Sequence, residues 1–186
     1  FNKAAWAHQR LHPNSNVRPE STSKSTQPLL SLAGDPRFPY RLKNTAKSDS
    51  ELFASESAIL LRNAHIETSE PVENLQIPKH LKSEGDPGRY IVQAIGRIDR
   101  AFRDVLRGAR AEVISYVPHN AYLVKASAAT VRQLQISPRV QGVVPYEPYY
   151  KYDATLLPLA VQKKALPQGK WLKIALHPGE REKGKL

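Results

Sequence analysis

The fold of this chain is decided by one β-branched stretch, Arg89-Tyr90-Ile91-Val92-Gln93-Ala94-Ile95. A run of this length and composition is typical of a buried strand. It follows Asp86-Pro87-Gly88, a sequence that favours a tight turn. The pattern therefore predicts that a buried strand begins directly after this turn.

Helix and strand signals continue from this strand to residue 144. Residues 98–106 place apolar side chains on one helical stripe, and Gly108 stands where a helix C-cap is expected. Ser127 can cap a second helix, in which Val131 and Leu134 share a face. The sequence predicts four strands, at residues 89–95, 111–117, 121–126 and 139–144, with one helix after the first strand and one after the third.

The order β-α-β-β-α-β predicts an α+β fold of the ferredoxin-like type. Right-handed crossovers turn this order into a four-stranded antiparallel sheet with two helices on one face. The other face, which we call the open face, is expected to be bare and to carry the function. Tyr90 and Tyr122 are expected to stand on it.

Composition divides the rest of the chain into two further regions. Residues 1–84 contain seven of the fifteen prolines and eleven serines. Two apolar islands interrupt this composition: residues 4–11 predict a short helix, and residues 57–66 predict a strand. Residues 85–152 form the predicted module. Residues 153–186 are expected to be a basic linker and the first strand of a possible second unit, because Gly169-Lys170-Trp171-Leu172-Lys173-Ile174-Ala175-Leu176 repeats the pattern of residues 88–95.

The charge is spread unevenly along the chain, and the absence of Cys and of a long apolar run excludes several kinds of site and structure. The 186 residues carry a net charge of +11, which divides into +2 for residues 1–84, +4 for residues 85–157 and +5 for residues 158–186. The absence of Cys excludes disulfides, thiolate metal sites and a cysteine nucleophile. No apolar run has the ~18 residues of a membrane helix, so no membrane span is expected.

No catalytic constellation stands out. His8 and His12 have the i, i+4 spacing of a zinc site, but Gln9 replaces the Glu of the zincin motif and no third ligand is evident. His119 is interpreted as a turn residue rather than a base, and no Ser lies in a Gly-x-Ser-x-Gly elbow. We therefore predict no catalytic residue, no metal and no cofactor, and expect the chain alone to hydrolyse nothing.

Two binding interpretations remain open at this point. Aromatic side chains on an open ferredoxin-like face stack bases in RNA-recognition domains, which makes an RNA-binding module one alternative. The strand at residues 121–126 lacks the basic-Gly opening and the further aromatics of the RNA motif, so nucleic acid is not the expected partner. A structural or adhesive segment is the other alternative.

Several segments resemble the N-terminal region of large secreted subtilisin-like serine peptidases, the subtilases. They are Ile59-Leu60-Leu61-Arg62-Asn63-Ala64, Ile77-Pro78-Lys79-His80-Leu81, residues 85–93 (Gly-Asp-Pro-Gly-Arg-Tyr-Ile-Val-Gln), residues 116–124 (Tyr-Val-Pro-His-Asn-Ala-Tyr-Leu-Val) and residues 138–151, which include Val144-Pro145-Tyr146-Glu147-Pro148-Tyr149-Tyr150-Lys151. They span about half of the chain.

The resemblance implies a ferredoxin-like prosegment of a secreted or cell-envelope endopeptidase precursor. Its partner would be the subtilisin-like catalytic domain of the same precursor, which it serves as chaperone and inhibitor or as a retained domain. None of the Asp-[Ser/Thr]-Gly, His-Gly-Thr and Gly-Thr-Ser motifs of that domain occurs here. By analogy residues 143–152 would approach the substrate cleft, and the expected partner-binding residues are Tyr90, Tyr116, Tyr122, Val143, Tyr146, Tyr149 and Tyr150.

Residues 1–84 are expected to be ordered by contact rather than by a core of their own. Their short apolar pieces bury too little surface to offset ~1–2 kcal/mol of backbone entropy per residue. The pieces at 58–61 and 75–77 should lie on the 89–144 module or on a catalytic domain. Trp6, Phe38 and Tyr40 are the expected aromatic anchors.

Overall fold

The computed structural model describes residues 36–169 and 171–177 of the chain. The predicted helix at 4–11, which contains Trp6 and His8, lies outside these ranges, and so does His12. The described part contains the following strands and α-helices: β1 (Leu42–Lys43), α1 (Asp49–Ala54), β2 (Ala58–Leu60), β3 (Ala64–Glu67), β4 (Arg89–Ala94), α2 (Arg100–Gly108), β5 (Glu112–Val117), β6 (Ala121–Lys125), α3 (Ala128–Gln135), β7 (Val140–Pro145) and α4 (Leu157–Val161).

Strands β4 to β7 form the ferredoxin-like sheet that the sequence predicts, and the α+β class is confirmed. The order across the sheet is β5-β6-β4-β7, and all neighbours are antiparallel. Ile91 in β4 pairs with Leu123 in β6 and with Val144 in β7. The β-branched stretch that opens the pattern is therefore an inner strand.

Helices α2 and α3 cover one face of this sheet and share a core with it. Phe102 and Leu106 of α2 and Val131 and Leu134 of α3 pack with Val92 and other side chains of that face. Helix α2 begins after Asp99, whose carboxylate accepts the Phe102 N–H at 2.7 Å. Helix α3 begins after Ser127, whose hydroxyl accepts the Thr130 N–H.

The prediction that Gly108 caps α2 is wrong by two positions. Gly108 is the last helical residue, and the chain reverses at Arg110, whose φ is +60°. The Ala111 N–H donates to the Leu106 carbonyl at 2.9 Å and the Arg110 N–H to the Arg107 carbonyl at 3.0 Å. These two bonds form a Schellman motif with arginine in the left-handed position that glycine usually occupies.

The apolar island at 57–66 forms two strands, not the single strand expected. β2 and β3 pair antiparallel, β1 joins β3 in parallel, and the resulting sheet has the order β1-β3-β2. The chain turns between β2 and β3 at residues 61–63, where the amide of Asn63 donates to the carbonyls of Tyr149 and Tyr152. The polar pair Arg62-Asn63 interrupts the apolar run and makes the turn possible.

The expectation of a bare open face is wrong, because the chain covers this face itself. Ile59, Ile66, Leu75 and Ile77 share a buried cluster with the open-face side of the sheet. That side contributes Ile91, Leu123 and Val144. The apolar pieces at 58–61 and 75–77 thus lie on the module, one of the two surfaces that we expect for them.

The segment after β7 completes this cover. A 3-10 turn at Pro148–Lys151 buries Tyr149 and Tyr150, and Leu157 of α4 joins the same cluster. Residues 171–177 do not form the strand predicted for them, and Trp171, Leu172, Ile174 and Leu176 are exposed. No helix within 36–169 or 171–177 is long and apolar enough to cross a membrane.

Candidate interaction surfaces

Two of the predicted partner-binding tyrosines lie on the helix face rather than on the open face. Tyr122 stacks on Phe102 of α2, with ring centroids 6.3 Å apart. Tyr90 is buried in the helix-side core, and its hydroxyl donates to Asp86 at 2.7 Å. Burial and the hydrogen bond to Asp86 raise the pKa of Tyr90 to about 12. The prediction put both side chains on the wrong face of the sheet. Neighbouring residues of a strand face opposite sides, so a shift of one residue exchanges the two faces.

This geometry removes the surface that the RNA-binding alternative needs. Base stacking requires aromatic side chains exposed on the open face. Tyr90 and Tyr122 are on the other side, and the apolar strands β2 and β3 occupy the open face. The structure therefore gives no support to recognition of RNA by this sheet.

The predicted tyrosine–proline strip is mostly part of the core. Tyr149 is 1% exposed, and its hydroxyl donates to the Tyr40 carbonyl. Tyr150 is 7% exposed, whereas Tyr146 and Val143 are half-buried. Direct entry of residues 143–152 into a partner's cleft, as the resemblance implies, would require Tyr149 and Tyr150 to leave this core.

Buried hydrogen bonds around Gln93, which we call the polar seam, join the two sheets. The sequence did not indicate them. Gln93 of β4 has no exposed surface, and its amide oxygen accepts the Thr68 hydroxyl at 2.7 Å. Its amide nitrogen donates to the carbonyls of Ala58 and His119, at 3.2 and 2.9 Å. A single glutamine inside a β-branched strand was the available signal for this seam.

His119 takes part in this seam as a turn residue, in agreement with its interpretation from the sequence. Its φ is +64°, and Asn120 beside it has a φ of +60°. Its ring Nδ1 lies 3.1 Å from the Ser55 carbonyl oxygen. The imidazole therefore connects the β5–β6 turn to the end of α1.

Glu67 is a buried carboxylate at the edge of the small sheet. Lys47 Nζ lies 2.7 Å from one carboxylate oxygen, and the hydroxyls of Ser55 and Ser69 donate to the carboxylate at 2.8 and 2.9 Å. Burial alone would raise the pKa of Glu67, but the hydrogen bonds from Lys47 and the serines outweigh it and lower the pKa to about 2. Because these hydrogen-bond donors are side chains of the same folded chain, we assign Glu67 a structural role.

The described residues hold no group of three or more His, Asp or Glu side chains that could bind a metal ion. Asp49, for example, lies 3.4 Å from Lys43, 3.2 Å from His65 and 4.0 Å from Arg41, so its charged neighbours are three basic residues.

Two open grooves on the surface of the described residues contain or adjoin predicted partner-binding residues. One lies between α2 and β5, has a volume of about 330 Å³ and is lined by Arg103, Leu106, Arg107, Ala111, Val113 and Tyr122. Tyr116, another predicted partner-binding residue, is 59% exposed next to Tyr122, with ring centroids 6.2 Å apart. This groove combines apolar and cationic lining.

The other groove, which we call the β7 cleft, lies between β7 and residues 72–82. It has a volume of about 240 Å³ and is lined by Val72, Glu73, Ile77, Lys82, Gln135, Val143, Pro145, Glu147 and Tyr150. It brings together two of the predicted partner-binding residues, Val143 and Tyr150. The hydroxyl of Tyr150 is buried and has no hydrogen-bond partner within residues 36–169 and 171–177.

Residues 60–147 match the model of a family described as a domain of unknown function, DUF8729. The match begins in β2, well before the ferredoxin-like strands, and ends just after β7. The matched residues thus include β3 and residues 68–88, but leave out most of β2 and the turn that follows β7. No curated protein and no solved structure matches the chain.

Proposed function

We propose that this chain is the N-terminal prosegment of a subtilisin-like serine protease. In this role it binds the catalytic domain of the same secreted precursor, either as folding chaperone and inhibitor or as a retained domain. The observation that carries the proposal is the ferredoxin-like module over residues 89–145. This is the fold that the resemblance of residues 59–151 to subtilase N-terminal regions implies, in the same part of the chain.

The contact surface differs from the one that the sequence suggested. Because β2 and β3 cover the open face, that face is closed to a catalytic domain. Four exposed apolar side chains lie close together along the chain in residues 171–176, where Trp171 is 98% exposed and Ile174 is 68% exposed. Large exposed aromatic and aliphatic side chains are typical anchors of protein interfaces. Extended chains of this kind bind in clefts by adding a strand to the partner.

Refolding of the catalytic domain tests this proposal directly. The catalytic domain of the same precursor is refolded with and without this chain added in trans, and its peptidase activity is followed. We expect the chain to raise the yield of folded enzyme and to inhibit the folded enzyme. Equal refolding yields and no inhibition over the whole concentration range would contradict the proposal.

A pair of isoleucine variants tests the contact surface. Ile174→Ala should weaken inhibition by ~1–3 kcal/mol if residues 171–176 bind the enzyme. Ile136→Ala is the matched control, because Ile136 at the end of α3 is 84% exposed and lies elsewhere on the surface. Tyr122→Ala would be a poorer test, since loss of the stack on Phe102 also weakens the fold. Equal inhibition constants for the two isoleucine variants would exclude this contact surface.

A further inference from the structure

We propose that the β7 cleft binds a short, basic, extended peptide, which adds to the free edge of β7 as a further strand. This proposal is independent of the protease proposal, because it rests on the cleft alone. Three features support it: unpaired main-chain groups, a buried hydroxyl without a partner, and the charge of the lining.

The edge of β7 presents main-chain groups to the cleft. β7 stands at the end of the strand order and, in the part of the chain that the structure describes, pairs only with β4. The Tyr146 N–H donates to the Arg89 carbonyl at 3.0 Å, and hydrogen-bonded pairs alternate with non-bonded pairs along an antiparallel ladder. Val143 and Pro145 are therefore at positions whose main-chain groups point away from β4. An added strand can accept the Val143 N–H and donate to the carbonyls of Val143 and Pro145.

The accessible part of this edge is short. At Gly142, a Cβ atom would point to the open face and stand 2.9 Å from the Cβ of Thr68, so the segment after β3 packs on that face of β7. The register between β4 and β7 shifts between Val140 and Gly142, so the regular edge runs from Gly142 to Pro145. The cleft volume of about 240 Å³ is below the ~300–1,000 Å³ of sites for drug-sized ligands. The cleft therefore suits a few residues of extended chain, with Val72 and Ile77 as the apolar wall opposite β7.

Tyr150 supplies a polar group that the fold itself does not use. Its side chain is more than nine-tenths buried and lines the cleft, and its hydroxyl has no partner among the described residues. The neighbouring Tyr149 is buried to a similar degree, but its hydroxyl donates to the Tyr40 carbonyl. A buried hydroxyl without a partner is costly, and phenylalanine would fill the same volume without this cost. A main-chain carbonyl of the bound peptide would satisfy this hydroxyl.

The charges of the lining favour a basic peptide. Two carboxylates, Glu73 and Glu147, and one ammonium group, Lys82, give the lining a net charge of −1. Glu147 is held in place because one of its oxygens accepts the Ser83 N–H at 2.6 Å. A Lys or Arg side chain on the peptide would complement this charge.

Capped tripeptides test the proposal on the full chain. The probes are Ac-Val-Xaa-Val-NH₂ peptides, with every standard residue in turn at Xaa, and binding is followed by the NMR shift of the Val143 amide. We expect Lys and Arg at Xaa to bind best, and Asp and Glu to bind at least roughly tenfold more weakly. N-methylation of the central amide should also weaken binding roughly tenfold, because it removes one ladder hydrogen bond. No shift of the Val143 amide with any peptide would overturn the proposal.

Two tyrosine variants separate ligand binding from folding. Tyr150→Phe should weaken binding of the best tripeptide by roughly fivefold to tenfold, while the Tm stays equal or rises. Tyr149→Phe is the control, and it should lower the Tm and leave peptide affinity within about twofold. Unchanged affinity in Tyr150→Phe would overturn the proposal. So would sedimentation data showing that two copies of the chain pair through β7, because the occupant would then be a second copy.

Discussion

Glu67 is held ionised without solvent contact by one ammonium group and several hydroxyls. Its side chain is fully buried, and Asn44 also binds its backbone N–H at 2.8 Å. Most of the donors come from other parts of the chain, such as Lys47 and Ser55. The carboxylate therefore connects the loop after β1, the end of α1 and the end of β3.

Glu67→Gln should lower the free energy of unfolding by about 1–3 kcal/mol at pH 7, because an amide cannot accept all of these hydrogen bonds. The pKa of Glu67 is about 2 in the folded state, below its value of 4.5 in an unfolded chain. The stabilisation is therefore complete above pH 4.5 and is lost as the pH falls towards 2.

Urea unfolding of both proteins between pH 7 and pH 2 measures this effect. The difference between wild type and Glu67→Gln should shrink steadily below pH 4.5. His65 is present in both proteins, so its titration cancels from the difference. A difference that stays constant from pH 7 to pH 2 would show that Glu67 is not the group responsible.

The segment after β3 approaches β7 closely. The Thr68 hydroxyl oxygen lies 2.8 Å from the Ser57 carbonyl oxygen and 2.7 Å from the Gln93 amide oxygen, and the methyl side of Thr68 packs on Gly142. A side chain at position 142 has no room unless Thr68 moves. Gly142 is thus required by a close approach between two elements rather than by its backbone conformation.

Gly142→Ala should destabilise the protein by about 1–3 kcal/mol, because the added methyl group collides with Thr68. Gly108→Ala is the matched control, since a Cβ at this helical position meets nothing within 4 Å. It should stabilise the protein by about 0.5–1 kcal/mol, because alanine loses less backbone entropy in a helix. Thermal or urea unfolding measures both variants, and destabilisation of equal size in both would contradict the packing argument.

The whole described chain is organised around two cores, one on each side of the ferredoxin-like sheet. The helix-side core holds α2 and α3, and the other core holds β2, β3 and the segment after β7. Since β4 contributes Ile91 to one core and Val92 to the other, the two cores share a strand. We therefore expect residues 58–161 to unfold as one cooperative unit.

Ile66→Ala should lower the free energy of unfolding by about 2–5 kcal/mol, because Ile66 is fully buried between the two sheets. Hydrogen exchange should then speed up equally in β3 and in β4, as expected for global unfolding. Ile136→Ala, at an exposed position, should change stability by less than about 0.5 kcal/mol. Faster exchange confined to β3 would show that the cover opens independently of the module.

The ferredoxin-like module was predictable from the amino-acid sequence, because its signals are local. The β-branched run at 89–95, the capping residue Ser127 and the helical stripes each act within a few residues. These signals set the strands and helices within one or two residues of their positions, apart from the cap at Gly108.

Which surfaces of the module are exposed to solvent depends on tertiary contacts. The cover on the open face, the partners of Glu67 and Gln93, and the burial of Tyr149 all depend on contacts between distant residues. Asn63, for instance, donates to the carbonyl of Tyr149, 86 positions away. Such contacts follow from burying the remaining apolar surface of the whole chain, and short segments of sequence carry no signal for their partners. For this reason the strands and helices of the module were predictable, whereas the cover on the open face and the positions of Tyr90 and Tyr122 were not.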